Sequence, residues 1–186
     1  MDCIGPKDYK YVHNMLSNDM VEFLSEFSLK NFYLNGDDQA PKSHVMHSEK
    51  SEIYSHITFL LLPRIEQETN LKLKPIYSYN RVYTGGSELK MHKDRPECEI
   101  SCSITLKSFY RDKDYVWPLY MNDTPLDIKK GDGVIYKGTI IPHGRLIFKQ
   151  PEDCWHHQLF VFYVNAQGPY KDSPTEFIEN LYCTKY

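Results

Sequence analysis

The chain reads as an α+β protein, a β-sandwich or barrel with helices packed outside it. Three observations carry that reading. Apolar residues in the first third recur at helical spacing, the period drops to two from Leu71 onward, and Gly, Pro, Asn and Asp cut that second region into short segments. Helices followed by a run of short strands is the layer pattern of an α+β fold. At 186 residues the chain is expected to form a single domain with a substantial core. It divides into a mainly helical part (1–70), a β core (71–169) and a tail (170–186).

The first element is "SNDMVEFLSEFSLKNF", where Ser17 or Asn18 can cap a helix and Met20, Phe23, Leu24, Phe27 and Leu29 fall at roughly helical spacing. A loop, "NGDDQAPKSH", separates it from "KSEIYSHITFLLLPRIEQETN". This second helix carries a stripe of Ile53, Ile57, Leu60 and Leu61, and Pro63 is expected to kink or end it. His44 and His47 fall in or beside the polar loop and read as solvated.

"LKLKPIYSYNRVY" then alternates, Gly85-Gly86 turns the chain, and "ELKMHKD" alternates again. "EISCSITLKSFY" is a third strand, with Ser101, Ser103 and Thr105 on one face. The turn at Gly131-Asp132-Gly133 has strands on both sides, and "CWHHQLFVFYVN" is the last strand. "GPYKDSPTEFIENLYCTKY" is the tail, partly helical by its pattern.

Composition excludes several functions. The net charge of −3 leaves no basic footprint for nucleic acid. The longest apolar run, "ITFLLLP", is too short to span a bilayer. "MDCIGPKDYK" offers no apolar core for a secretory signal. The five cysteines, Cys3, Cys98, Cys102, Cys154 and Cys183, form no CxxC pair and read as reduced thiols, so the expected setting is cytoplasmic. Cys98 and Cys102 lie four apart and are expected to share a strand face.

The chemistry concentrates in "LKMHKDRPE". On a strand, residues two apart share a face, so His92 and Asp94 converge, with Lys90 beside them. An imidazole beside a carboxylate is two thirds of a metal site. His143, in "TIIPHGRLIF", is the best third ligand, with enough intervening chain for several strands to return it beside the first. Two His and one carboxylate leave coordination positions open, the facial arrangement of non-haem Fe(II) oxygenases.

The pattern Tyr83, Gly85-Gly86, His92-Lys93-Asp94, "GDGVIY" and "PHGR" resembles the 2-oxoglutarate- and Fe(II)-dependent dioxygenases, most nearly the prolyl 4-hydroxylase-like branch, over residues 76–169. The resemblance implies a double-stranded β-helix, a cupin-like jelly roll, with the N-terminal helices packed against one sheet. It implies that His92, Asp94 and His143 hold iron and that Tyr83 hydrogen-bonds 2-oxoglutarate. It further implies a hydroxylase that uses O2, decarboxylates 2-oxoglutarate to succinate, and acts on a peptide or protein side chain or a small molecule.

One position departs from that branch. Prolyl 4-hydroxylases carry a lysine about ten residues beyond the distal His, to pair with the far carboxylate of 2-oxoglutarate; here Asp153 stands there. Arg145, two residues past His143, is the first candidate cation. Lys107 is the second, by resemblance to the Jumonji-like branch. Of the adjacent His156 and His157, one is expected to enter the barrel. Trp117 is a packing or cleft-wall residue, and Arg95-Pro96-Glu97 lies near the mouth or in an ordinary turn.

Two other readings compete. A cupin-like protein using another metal would carry HxH and a downstream Glu where this chain has HxD. A β-helix that binds a partner without catalysis fits the missing lysine. No HExxH motif favours a zinc hydrolase.

Overall fold

The computed structural model describes residues 4, 8–31, 33–34, 37–47 and 51–176. Two antiparallel sheets form its frame. The larger contains seven strands in the order β1 (Tyr9–Val12), β9 (Gly133–Lys137), β6 (Ile100–Phe109), β11 (Trp155–Asn165), β4 (Leu73–Thr84), β3 (Ser43–His47) and β2 (Tyr33–Leu34). The smaller contains β5 (Leu89–His92), β10 (His143–Arg145), β7 (Leu119–Met121) and β8 (Thr124–Leu126). This is the double-stranded β-helix, with two helices on the outer face of the larger sheet.

Both helices follow their patterns. In α1 (Asn18–Leu29) the Ser17 hydroxyl accepts the Met20 N–H at 3.3 Å, and Val21 and Leu24 are buried. In α2 (Glu52–Thr69) Ile57, Leu61 and Ile65 form the buried stripe, while Leu60 is exposed. The helix runs through Pro63 rather than ending there; the proline forfeits its own N–H bond, but buried neighbours on either side hold the turn in place. Asn70, in the left-handed region at φ 55°, closes it. Among the described residues no helix is long and apolar enough to cross a membrane.

The backbone of the large sheet is the β4–β11 pair, registered from Leu73 opposite Asn165 to Thr84 opposite Trp155. Alternation sends Tyr163, Val161 and Leu159 toward the helices and Val164, Phe162 and Phe160 between the sheets. Thus one core lies under α1 and α2 and a second fills the space between the sheets.

The first third contributes strands as well as helices. β1 pairs with β9 at one edge, and β3 pairs with β4 near the other, so part of the expected loop is strand. These short pieces have no strong period of their own; they extend because a neighbouring edge offers unpaired backbone groups. Cys98 lies in a single 3-10 turn, Pro96–Cys98, and faces the inter-sheet core, whereas Cys102 faces the helices. The expected shared face is therefore lost, because Cys98 precedes the strand. Cys98, Cys102 and Cys154 are buried free thiols, and Cys3 and Cys183 lie outside the described residues. The tail contains turns but no helix up to Glu176, and its remaining helical expectation lies outside the described residues.

Candidate metal centre

His92 ends β5 and His143 begins β10, and the two are register partners across that pair. Asp94 is not on the strand, which ends at His92. Its position is set instead by its own N–H, which donates to the Gly138 carbonyl at 2.9 Å. Asp94 Oδ1 stands 3.4 Å from His92 Nε2 and 3.5 Å from His143 Nε2. One ligand atom from each of the three residues lies within 4.8 Å of the others.

The hydrogen bonds fix what these atoms are. His92 Nδ1 is 2.8 Å from the Lys90 carbonyl and His143 Nδ1 is 3.0 Å from the Ile141 carbonyl. A carbonyl only accepts, so each Nδ1 donates, and in the neutral ring Nε2 carries the lone pair. Two lone pairs and a carboxylate oxygen converging on one point repel one another unless a cation lies among them. The donor set therefore fits a divalent metal ion in a facial geometry.

Asp94 is supported on its other oxygen. The Ser101 hydroxyl donates to Oδ2 at 2.8 Å. Burial raises this carboxyl, but positive charge at the two Nε2 atoms, from a proton or a metal ion, together with the hydrogen bond from Ser101, outweighs it and holds it well below the usual carboxylate range. Gly138 is also required, since a Cβ there would stand 2.3 Å from Asp94 Oδ2 and 2.4 Å from the Cys98 carbonyl. Neither Gly138 nor the bond from Ser101 was legible in the sequence beyond the small-residue face of β6. On β10, Gly144 lets the strand pass a bulge in β5, where a Cβ would meet the Leu89 carbonyl at 2.6 Å.

Deeper between the sheets lie Tyr83 and Arg145. Tyr83 is fully buried, edge-on to Trp117 at 5.0 Å, and its hydroxyl has no hydrogen-bond partner among the described residues. Arg145 is 3% exposed, and its guanidinium lies 4.8 Å from the Trp117 ring centroid. It donates to the Trp117 carbonyl and, at 3.0 Å, to Gln158 Oε1. Among the described residues no carboxylate pairs with it, and burial pulls its pKa down. A buried cation without a counter-ion and an orphaned hydroxyl are the features that a bound dianion would satisfy.

Gln158 organises this interior. Its amide donates to Ser103 Oγ at 2.8 Å, and its oxygen accepts from His156 Nε2 at 2.8 Å. Tyr110 then donates to His156 Nδ1 at 2.6 Å. Burial, and next the charge of Arg145, push His156 well below its usual pKa, so it stays neutral. His156 thus enters the barrel while His157 faces α1, 3.1 Å from Ser25 Oγ. Gln158 could have been found from His156, since it lies two residues along an alternating strand.

Lys107 is placed elsewhere. A bulge between Thr105 and Lys107, opposite His157 and Gln158, shifts the alternation of β6. Lys107 therefore emerges on the helix side and pairs with Glu22 of α1 at 2.7 Å. The Lys90 side chain is exposed, and Asp153 pairs with Arg111 at 2.7 Å. Trp117 packs on Phe148 at 4.8 Å, the wall role expected of it. Arg95 lines the cleft beside His92 and Asp94.

No protein-family model matches the chain, and no curated protein matches it. Solved structures do resemble it. A viral collagen prolyl hydroxylase, vCPH from Paramecium Bursaria Chlorella virus-1 in complex with 2-oxoglutarate, aligns with 13% identity over 85% of this chain and 96% of that one, at a TM-score of 0.65. A Pseudomonas putida prolyl-4-hydroxylase aligns with 16% identity over 86% and 94%, at 0.63. HygX from Streptomyces hygroscopicus, with nickel, 2-oxoglutarate and hygromycin B bound, aligns with 13% identity over 86% and 84%, at 0.63. The fold is that of the 2-oxoglutarate/Fe(II) oxygenases, in the form seen in prolyl hydroxylases.

Proposed function

We propose that the chain is an Fe(II)- and 2-oxoglutarate-dependent dioxygenase that hydroxylates a peptide or protein side chain or a small molecule. The observation that carries this reading is the convergence of His92, Asp94 and His143 with both Nδ1 atoms tied back to the main chain, so that the metal-binding atoms are pre-set. The likeness of the fold to prolyl hydroxylases and to HygX is a second support.

In this reading His92 Nε2, His143 Nε2 and Asp94 Oδ1 hold the iron, and Ser101 keeps Oδ2 turned away from it. Arg145 binds the far carboxylate of 2-oxoglutarate, and Tyr83 donates its free hydroxyl to the same molecule. When bound, the ferrous ion and 2-oxoglutarate together supply the O2-activating chemistry, with succinate and CO2 as by-products. The interior walls, Trp117, Phe148 and Tyr136, exclude water around that pair, which strengthens its contact with Arg145.

Anaerobic addition of 2-oxoglutarate to the Fe(II)-loaded protein tests the reading in the visible region. Chelation gives a weak charge-transfer band, expected in the wild type and lost in His92→Ala and His143→Ala. Iron binding without the band would favour another metal chemistry on a cupin-like frame. Failure to bind iron would favour the non-catalytic β-helix.

A further inference from the structure

The cleft that exposes His92 and Asp94 has a volume of about 440 Å³ and is walled on the β4 side by Tyr77, Tyr79 and Arg81. Arg81 is unusual there. It occupies an inward position of the strand, two residues before Tyr83, and is only 5% exposed. Its guanidinium lies 5.6 Å from the Tyr79 ring centroid.

Its donors are unevenly used. Nη2 donates to Asp37 Oδ2 at 2.7 Å and Nη1 to Ser43 Oγ at 2.8 Å. The Nε–H is buried and has no acceptor among the described residues. A donor removed from water without an acceptor costs free energy that an incoming acceptor would recover.

The charge balance decides which acceptor. Asp37 already matches the positive charge of Arg81. A second carboxylate would add an unmatched negative charge beside a buried guanidinium whose own charge the half-exposed Asp37 already balances, whereas a neutral carbonyl would complete the hydrogen bonds at no charge cost. The other cations of the cleft do not change this. Arg95 pairs with Glu176 at 2.6 Å, and Lys93 is exposed to solvent. Because His92 and Asp94 line the same cleft, a group held by Arg81 brings its neighbouring carbons toward the metal centre.

We propose that Arg81 is a substrate-binding residue that selects an uncharged carbonyl, of an amide or ester, on the substrate, and that Asp37 is the residue that rejects a carboxylate in its place. This rests on the oxygenase reading above. A site built to satisfy one polar group discriminates strongly against an analogue that cannot match it.

Matched pairs of N-acetyl amino-acid amides and N-acetyl amino acids test this on the Zn(II)-loaded full chain with 2-oxoglutarate present. Affinity is read by ligand-observed NMR. The wild type is expected to hold amides about tenfold or more tighter than carboxylates, a gap of about 1.4 kcal/mol. Asp37→Asn, at a half-exposed side chain, is expected to close or reverse the gap. Arg81→Lys is expected to weaken amide binding while leaving 2-oxoglutarate affinity unchanged.

The proposal is overturned by a wild-type preference for carboxylates, by no binding of either series, or by an unchanged ratio in Asp37→Asn. Loss of 2-oxoglutarate affinity in Arg81→Lys would also overturn it, by making Arg81 a cosubstrate residue. The amide preference is measurable on the metal-free protein as well. A preference found there, with no charge-transfer band from the iron-loaded protein, would remove the oxygenase reading and leave Arg81 its role.

Discussion

His92 and His143 face each other across the β5–β10 pair with ring centroids 4.3 Å apart, and the same local device orients both. In each, Nδ1 donates to the carbonyl two residues earlier, on Lys90 and on Ile141. Neither ring depends on a distant carboxylate for its tautomer. Asp94 differs, since Ser101 and Gly138 support it from other parts of the chain. The third ligand is therefore the one that point substitutions around the site reach most easily.

Ser101→Ala is expected to weaken metal binding by about 10- to 100-fold, the usual effect of removing a hydrogen bond behind a ligand. Competition with a chromophoric chelator measures this directly. Unchanged affinity would show that Asp94 needs no support from Ser101.

Gly138→Ala is expected to do more damage than its one added methyl suggests. The new Cβ would collide with Asp94 Oδ2 and with the Cys98 and Ser101 oxygens. Metal titration and thermal unfolding should show both weaker binding and a lower midpoint. Asp94→Ala, by contrast, should abolish iron-dependent turnover with the fold intact by circular dichroism.

Arg145→Ala should raise the 2-oxoglutarate requirement by a charge-assisted bond worth roughly 1.5–3 kcal/mol, about 10- to 150-fold. Lys107→Ala should leave that requirement unchanged, because Lys107 pairs with Glu22 on the opposite face of the sheet. Titrations of cosubstrate against succinate formation in both variants decide between the two cations.

Glu22 gives a pH signature. Its hydrogen bonds to Lys107 and then Lys130 hold its carboxyl down at about 2, below an unfolded value of about 4.3. Because the folded pKa is depressed, its contribution is present above about pH 4.3 and fades as pH falls toward 2. Urea unfolding of Glu22→Gln should therefore differ from the wild type near pH 6, and the two should converge near pH 2. A difference that persists at low pH would assign the effect to packing.

The helix stripes, the strand alternation after Leu71 and the pairing of HxD with a later PHG are local properties of the chain, and they predict helices, strands and a metal centre at His92, Asp94 and His143. Periodicity reports which face a residue takes while its element is regular, and for Ile57, Leu61, Phe160 and Phe162 it does.

What only the tertiary structure decided lies where regularity stops. The bulge that turns Lys107 outward arises from its pairing with β11, and Asp94 is held beyond the end of β5 by the carbonyl of a residue far along the chain. The enclosure of Arg145, with no carboxylate partner among the described residues, and the pairing of buried Arg81 with Asp37 likewise depend on which segments the fold brings together. Nearest neighbours in sequence encode a period, but register, bulges and the pairing of buried charges are settled between segments that meet only in the folded chain.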